Sequence, residues 1–241
     1  MKNVDKKRVL REMLFARRFE ERCYEAYVER NIGGFLHLYP GEEACAFGVL
    51  EAAQPGRDYV ITSYRDHVHA IKSGSDPRHI MAELFAKETG VSKGRGGSMH
   101  IFYVENKFMG CYALFVVPFP LAAGIGKALQ MRQSDAISIC FLGDAANNQG
   151  TFHESLNMAK LWNLPVLYVC ENNLYGIGTR IDRSTAVVDQ YKRVSGYNIP
   201  SAQEDGQDIE LVYKAAEKAI RHVRDGKGPY FLELMTYRYR G

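Results

Sequence analysis

No two cysteines of this chain stand at CxxC spacing. The five present, Cys23, Cys45, Cys111, Cys140 and Cys170, are odd in number and far apart. That pattern indicates neither a zinc site nor a disulfide framework. Several lie in apolar runs, where a buried free thiol is the expected state, and a reducing, cytoplasmic setting suits such usage. No apolar run reaches membrane-spanning length, so no membrane partner is expected. Charge of one sign is also scarce: the formal net charge is only +3, with basic residues interleaved among acids. This removes the electrostatic case for a nucleic-acid partner. The opening "MKNVDKKRVLREMLFARRFEERCYEAY" has no apolar core for a signal peptide and is too acid-rich for a transit peptide. No Gly-x-Gly-x-x-Gly follows a strand, which argues against a nicotinamide dehydrogenase, and "KGRGGS" lacks Walker spacing. Internal repeats and low-complexity linkers are missing as well.

What is there is an ordinary globular composition, 46% apolar over 241 residues, enough to bury a sizeable core. One domain is expected, with a helical N-terminal part over 1–58 and an α/β core over 59–241. Residues from about Asp5 to Glu29 carry a partial apolar stripe at helical spacing, and "GEEACAFGVLEAA" predicts a second helix. "DYVITSY" predicts a strand running into a loop. "DPRHIMAELFAKETG" predicts a helix capped by Asp76, with Pro77 at its first position and its end at Gly90. After the glycine-rich "SKGRGGSMH", strands and helices alternate. "PLAAGIGKALQM" is a small-residue helix suited to close packing, "AISICFL" a strand, and "TFHESLNMAKLW" a helix with Thr151 and Glu154 at capping-box spacing. "PVLYVCE" is a strand, "DIELVYKAAEKAIRHVRDG" an amphipathic helix from Asp208 to Gly226, and "YFLELMTYR" a last strand. Continuous apolar strands alternating with helices predict an α/β fold, its central parallel sheet covered by helices on both faces.

Ligands of such sheets sit beyond the carboxyl ends of strands. Two loops occupy such ends, "GDAANNQG" and "ENNLYGIG". If their strands are neighbours, the carboxylate of Asp144 and an Asn amide oxygen from Asn172 or Asn173 converge. Magnesium takes six oxygens and commonly shares them with phosphates. The helix starting near Thr151 adds N-terminal amides that favour an anion. The spacing therefore points to a magnesium–diphosphate site. The plainer alternative is that these residues serve only turns and caps.

Gly-Asp-x, one crossover and then Asn-Asn resembles the thiamine diphosphate fold signature. Longer stretches are more specific: "GFLHLYPGEEA", "VITSYRDHVHA", "MAELFAKETGVSKGRGGSMH", "FHESLNMAKLWNLPVLYVCENNLYGIGT" and "GPYFLELMTYRYRG". From about residue 8 onward the chain resembles the alpha subunit of thiamine diphosphate-dependent 2-oxo acid dehydrogenases, in the pyruvate and acetoin branches. The resemblance implies thiamine diphosphate and magnesium as cofactors. It makes Asp144 and Asn173 side-chain ligands of the metal and Tyr175 a backbone-carbonyl ligand. Tyr64 and Arg65 would hold the diphosphate, Arg65 with its guanidinium fork, and Gly143, Ala145 and Ala146 would offer backbone contacts. His37 would be a polar or acid/base group at the substrate end, with His67 a second candidate in the same pocket. His69, His79 and His222 read as surface or helix residues. The activity implied is oxidative decarboxylation of a 2-oxo acid with acyl transfer to a lipoyl group. The implied partners are a beta subunit in an α2β2 assembly and a lipoyl-bearing acyltransferase.

The chain departs from the family pattern in three places. Ala145 stands where Gly-Asp-Gly is usual, and would be strained by on the order of 1 kcal/mol if the backbone there were left-handed. "CYALFVVPFPLAAG" replaces a glycine-rich stretch whose backbone, around Ala113 and Phe115, would contact the aminopyrimidine. A histidine-bearing loop expected after Gly241 does not follow, as in a shortened alpha subunit. Three readings stay open: a pyruvate dehydrogenase alpha subunit, an acetoin dehydrogenase alpha subunit, and a non-catalytic paralogue that keeps the fold and partner surface.

Overall fold

The computed structural model describes residues 4–114 and 116–240; Phe115 lies outside them. Six strands form one parallel sheet. In spatial order they are β2 (Phe108–Tyr112), β1 (Tyr59–Ser63), β3 (Ser138–Gly143), β4 (Val166–Asn172), β8 (Tyr230–Met235) and β7 (Ser201–Asp205). Successive strand residues face opposite sides, and here both sides are apolar. Ile139, Phe141, Leu167, Val169, Leu232 and Leu234 enter one buried cluster. Cys140, Leu142, Val166, Tyr168, Cys170 and Phe231 enter another on the opposite face. The expected fold class is what forms.

Each cluster is closed by helices. On the first face lie α1 (Lys6–Val28), α2 (Glu43–Ala52) and α8 (Ile209–Arg224). Asp5 caps α1 by accepting from Lys7 N and Arg8 N, and Asp208 caps α8 through Glu210 N and Leu211 N. α8 buries Val212, Ala216, Ala219, Ile220 and Val223, the predicted stripe. It sits close on α2 because Gly48 has no side chain: a Cβ there would lie 2.5 Å from Val212 Cγ1. On the second face lie α5 (Pro118–Met131) and α6 (Gly150–Leu161). Gly126 lets α5 approach β4, where a Cβ would meet Val166 Cγ2 at 2.7 Å. All five cysteines are buried and free. No helix among the described residues is long and apolar enough to cross a membrane.

Several local expectations are corrected. α4 (Pro77–Leu84) starts as predicted, with Asp76 accepting from Arg78 N, but ends six residues before Gly90. At Ala86 the backbone turns left-handed, with φ +53°. The cause is Glu83. Its fully buried carboxylate accepts from Ser92 N at 2.7 Å and Gly94 N at 2.8 Å on one oxygen. The other oxygen takes Gly96 N at 2.6 Å and Gly97 N at 3.2 Å. The chain leaves the helix so that the glycine-rich loop can wrap this acid. The Thr151–Glu154 capping box does not form: α6 begins after Gln149 without a side-chain cap, and Thr151 Oγ1 donates to the Val116 carbonyl. The short helix α3 (His67–Lys72) follows the loop expected after β1, and β2 and β7 were not foreseen.

Glu83→Gln preserves shape but puts an amide NH2 against backbone N–H donors. It is expected to destabilise the chain by about 3 kcal/mol, lowering Tm by roughly 6–12 °C at this size. Thermal unfolding followed by circular dichroism checks this; an unchanged Tm would show that the loop does not depend on the carboxylate.

Candidate functional site

β1, β3 and β4 are adjacent, so their carboxyl ends open side by side. From β1 the chain runs into Tyr64 and Arg65. From β3 it enters a 3-10 turn, Asp144–Asn148, and from β4 it reaches Asn173. Between these ends lies a cleft. Tyr64, Arg65, Gly143, Asp144, Ala145, Ala146, Asn173 and Tyr175, eight of the residues singled out from the sequence, all line it. The geometry brings Asp144 and Asn173 together because Gly143 pairs with Glu171 across the two strands.

Asp144 is buried, and its Oδ2 has no hydrogen-bond partner. Loss of water pushes its carboxyl up to about 6, against the backbone N–H groups of Asp144 and Asn173, which favour the ionised form. Of the Asn pair, Asn172 turns into the protein, where its Nδ2 donates to Glu233 Oε1 at 2.6 Å. Asn173 faces the cleft: its Oδ1 accepts from Tyr175 N at 3.2 Å, and its Nδ2 donates to Glu42 Oε1 at 3.2 Å. The orphaned Asp144 oxygen, the Asn173 oxygen and the Tyr175 backbone are hard oxygen donors of the kind magnesium takes. Among the described residues no three His, Cys, Asp or Glu side chains form a metal cluster of their own. A cation here would therefore need this mixed set together with oxygens from a ligand.

Basic groups stand opposite. The Arg65 Nη1 donates to the Leu38 carbonyl at 2.7 Å, its Nε lies 3.7 Å from Glu42 Oε2, and its guanidinium sits 5.5 Å from the Tyr64 ring centroid. Arg238 also lines the cleft. Burial and the charge of Arg65 hold the Arg238 pKa below its ordinary value. Two guanidiniums in one cleft favour an anionic ligand.

Three charged lining residues, Glu42, Glu171 and Arg238, were not foreseen. All three fall inside motif stretches, in "GEEA", "ENN" and "YRYRG", so their signal was present but had no partner along the chain. Glu42 is almost fully buried; burial, then the charge of Glu171, raises its carboxyl to about 7. Glu171 Oε1 accepts from the Tyr39 hydroxyl at 2.5 Å and lies 3.0 Å from His69 Nε2. His69 is thus on a helix, as expected, but fully buried rather than at the surface.

The remaining candidates fall elsewhere. His37 does not line the cleft itself; its ring packs on Tyr64 at 4.5 Å between centroids. Burial, then the charge of Arg65, lowers it to about 4, so the imidazole is neutral near pH 7. His67 is completely buried away from the cleft, its Nδ1 3.0 Å from Glu20 Oε1 and its Nε2 2.9 Å from Ser98 Oγ. Burial opposes its protonation, but Glu20, with Asp66 and Ser98, together outweigh burial and the pKa is raised. Ala113 is half-buried and does not line the cleft. Ala145 lies in the 3-10 turn without a left-handed φ, so the strain considered from the sequence does not arise.

The dehydrogenase E1 component family matches residues 11–241. The pyruvate dehydrogenase E1 component subunit alpha of Rhizobium meliloti is 46% identical over 237 residues, covering 98% of this chain and 68% of that protein. The protein of the same name from Zymomonas mobilis is 48% identical, covering 96% of this chain and 65% of its own length. That from Porphyra purpurea is 42% identical, covering 95% and 69%. A cleft at the carboxyl ends of β1, β3 and β4 and a family match over nearly the whole chain agree: this chain belongs to the dehydrogenase E1 component family.

Proposed function

We propose that the chain is the alpha subunit of a thiamine diphosphate-dependent 2-oxo acid dehydrogenase that acts on pyruvate. One observation carries this reading furthest: the buried, unpartnered Oδ2 of Asp144, facing a cleft that also holds Asn173, Arg65 and Arg238. A buried acid oxygen without a partner is costly, and a divalent cation would satisfy it. Asp144, Asn173 and the Tyr175 carbonyl would hold magnesium. Tyr64, Arg65 and the backbone of the Gly143–Ala146 turn would take the diphosphate. The bound cofactor supplies the nucleophilic carbon and the electron sink for decarboxylation. The chain's own residues bind and orient. Arg65 is braced by the Leu38 carbonyl and Glu42, and neutral His37, packed on Tyr64, can hold or pass a proton near the cleft wall. Pyruvate is favoured over acetoin because the relatives described above are pyruvate dehydrogenase subunits.

A beta subunit would complete the site. Ile177 lines the cleft yet is 95% exposed, and Phe35, stacked on His37, is 72% exposed. Apolar side chains left in water beside a binding cleft support a covering protein surface. A lipoyl-bearing acyltransferase would then receive the acyl group, in a cytoplasmic assembly.

Mixed with its beta subunit, thiamine diphosphate and magnesium, the chain is expected to support pyruvate-dependent dye reduction. The absence of both activity and calorimetric cofactor binding would establish the non-catalytic alternative instead. Asp144→Asn is expected to weaken magnesium-dependent cofactor binding by at least roughly 100-fold, beyond the usual loss for a residue that only orients a ligand, while the chain stays folded. Arg65→Lys keeps the charge but loses the fork, and is expected to raise the cofactor Kd by about tenfold. Titration calorimetry at fixed magnesium reads both.

A further inference from the structure

We propose that Glu20, His67 and Ser98 form a positioning relay that fixes the backbone of His37, and through it the imidazole beside the cleft. The three residues come from separate parts of the chain. Glu20 is on α1, His67 opens α3, and Ser98 sits in the 3-10 turn within the glycine-rich loop. Their exposures are 0%, 0% and 2%. The contacts run in one line: Glu20 Oε1 to His67 Nδ1 at 3.0 Å, His67 Nε2 to Ser98 Oγ at 2.9 Å, and His37 N–H donating to Ser98 Oγ at 3.1 Å.

The end of the line is the same in either protonation state of His67. With Nδ1–H given to Glu20, the neutral ring accepts the serine hydroxyl at Nε2; the protonated ring donates its Nε2–H to the serine oxygen. In both, the Ser98 oxygen accepts from the His37 amide. That amide needs an outside partner, because residues 31–41 form no helix or strand and a buried N–H without a partner is unfavourable. The next residue is held too, by Arg65 Nη1 on the Leu38 carbonyl. The segment is thus pinned at two adjacent residues, and the His37 ring is left on Tyr64. A buried polar chain adds little stability compared with apolar packing. What this one adds is a defined place for one backbone amide 61 residues away from its serine.

The kinetic half of the test rests on the cofactor reading of the cleft; the exchange half does not. Hydrogen exchange of the full chain, alone and with its beta subunit, is measured over residues 35–39 by mass spectrometry. Ser98→Ala is expected to speed exchange at His37 by about tenfold, the equivalent of one lost hydrogen bond. In the assembled enzyme it is expected to lower kcat for pyruvate by about tenfold, with the thiamine diphosphate Kd within about twofold, and Ser98→Thr is expected to restore both. Unchanged exchange at His37 in Ser98→Ala overturns the relay. So does a cofactor Kd that rises in step with the loss of kcat, or a loss of kcat that Ser98→Thr leaves in place. Ser98→Cys, nearly equal in size and a much weaker acceptor, gives the same exchange reading if the alanine variant does not fold. A wild-type assembly that binds no cofactor would sink the proposed function while the exchange result still decides the relay.

Discussion

A carboxylate taken out of water must find donors, and this fold is organised around acids that have found them. Glu83 collects four loop amides. Glu233, on β8 and fully buried, accepts from the Asn172 and Gln203 side chains and from the Gln190 and Tyr191 amides. Asp58 joins Gln54 N, Ile137 N and Arg224 Nη2, tying the end of α8 to the start of β1. Each acid fixes an irregular segment to the sheet or its helices. Against that background Asp144 is different. It is buried and lines the cleft with one oxygen unpartnered, and burial, with a smaller push from the charge of Glu233, has raised its carboxyl to about 6. Glu20 Oε2 and Asp66 Oδ1 are buried without a partner as well, but of the three acids only Asp144 lines the cleft. There an external group can reach the open oxygen, which the fully enclosed acids do not allow.

How much of this could be read from the chain follows from the same physics. β1, β3, β4 and β8 are buried on both faces and so must be continuously apolar, and they were legible. β2 and β7 are the two edges of the sheet. An edge strand pairs on one side only and can be short or polar. β7 reads "SAQED" without a single fully buried residue, and β2 is interrupted by Gly110. Neither carries the signal that periodicity detects. α4 stopped early for a reason outside its own sequence, the loop amides that Glu83 gathers.

The site divides in the same way. Asp144 and Asn173 were legible because each follows a strand whose end must lie at the sheet's edge, and Tyr64 and Arg65 through the family resemblance of "VITSYRDHVHA". Glu42, Glu171 and Arg238 reach the cleft from the start of α2, from within β4 and from beyond β8, and only the folded chain brings them together. His67 shows the reverse error. Two residues after Arg65 it looks like part of the same loop, but α3 begins at His67 and turns its ring inward toward α1. His69 is turned inward as well, against Tyr39 and Phe141, where it meets Glu171 beneath the cleft. A short helix reassigns side chains that sequence proximity groups together.

Ala145 shows how a departure from a motif can be absorbed rather than repaired. Its methyl needs room, not a special backbone angle, since the 3-10 turn holds it out of the left-handed region. The room comes from across the cleft. Residues 175–176 and 179–180 form a small hairpin, and a Cβ at Gly176 would come within 2.6 Å of the Ala145 Cβ. The absent side chain at 176 and the added methyl at 145 are therefore one packing decision shared by two loops. It joins the turn after β3 to the loop after β4, the same two loops that carry Asp144 and Asn173. The alanine thus closes the cleft wall between the two oxygen donors, and the position that tolerates no side chain is the glycine opposite it.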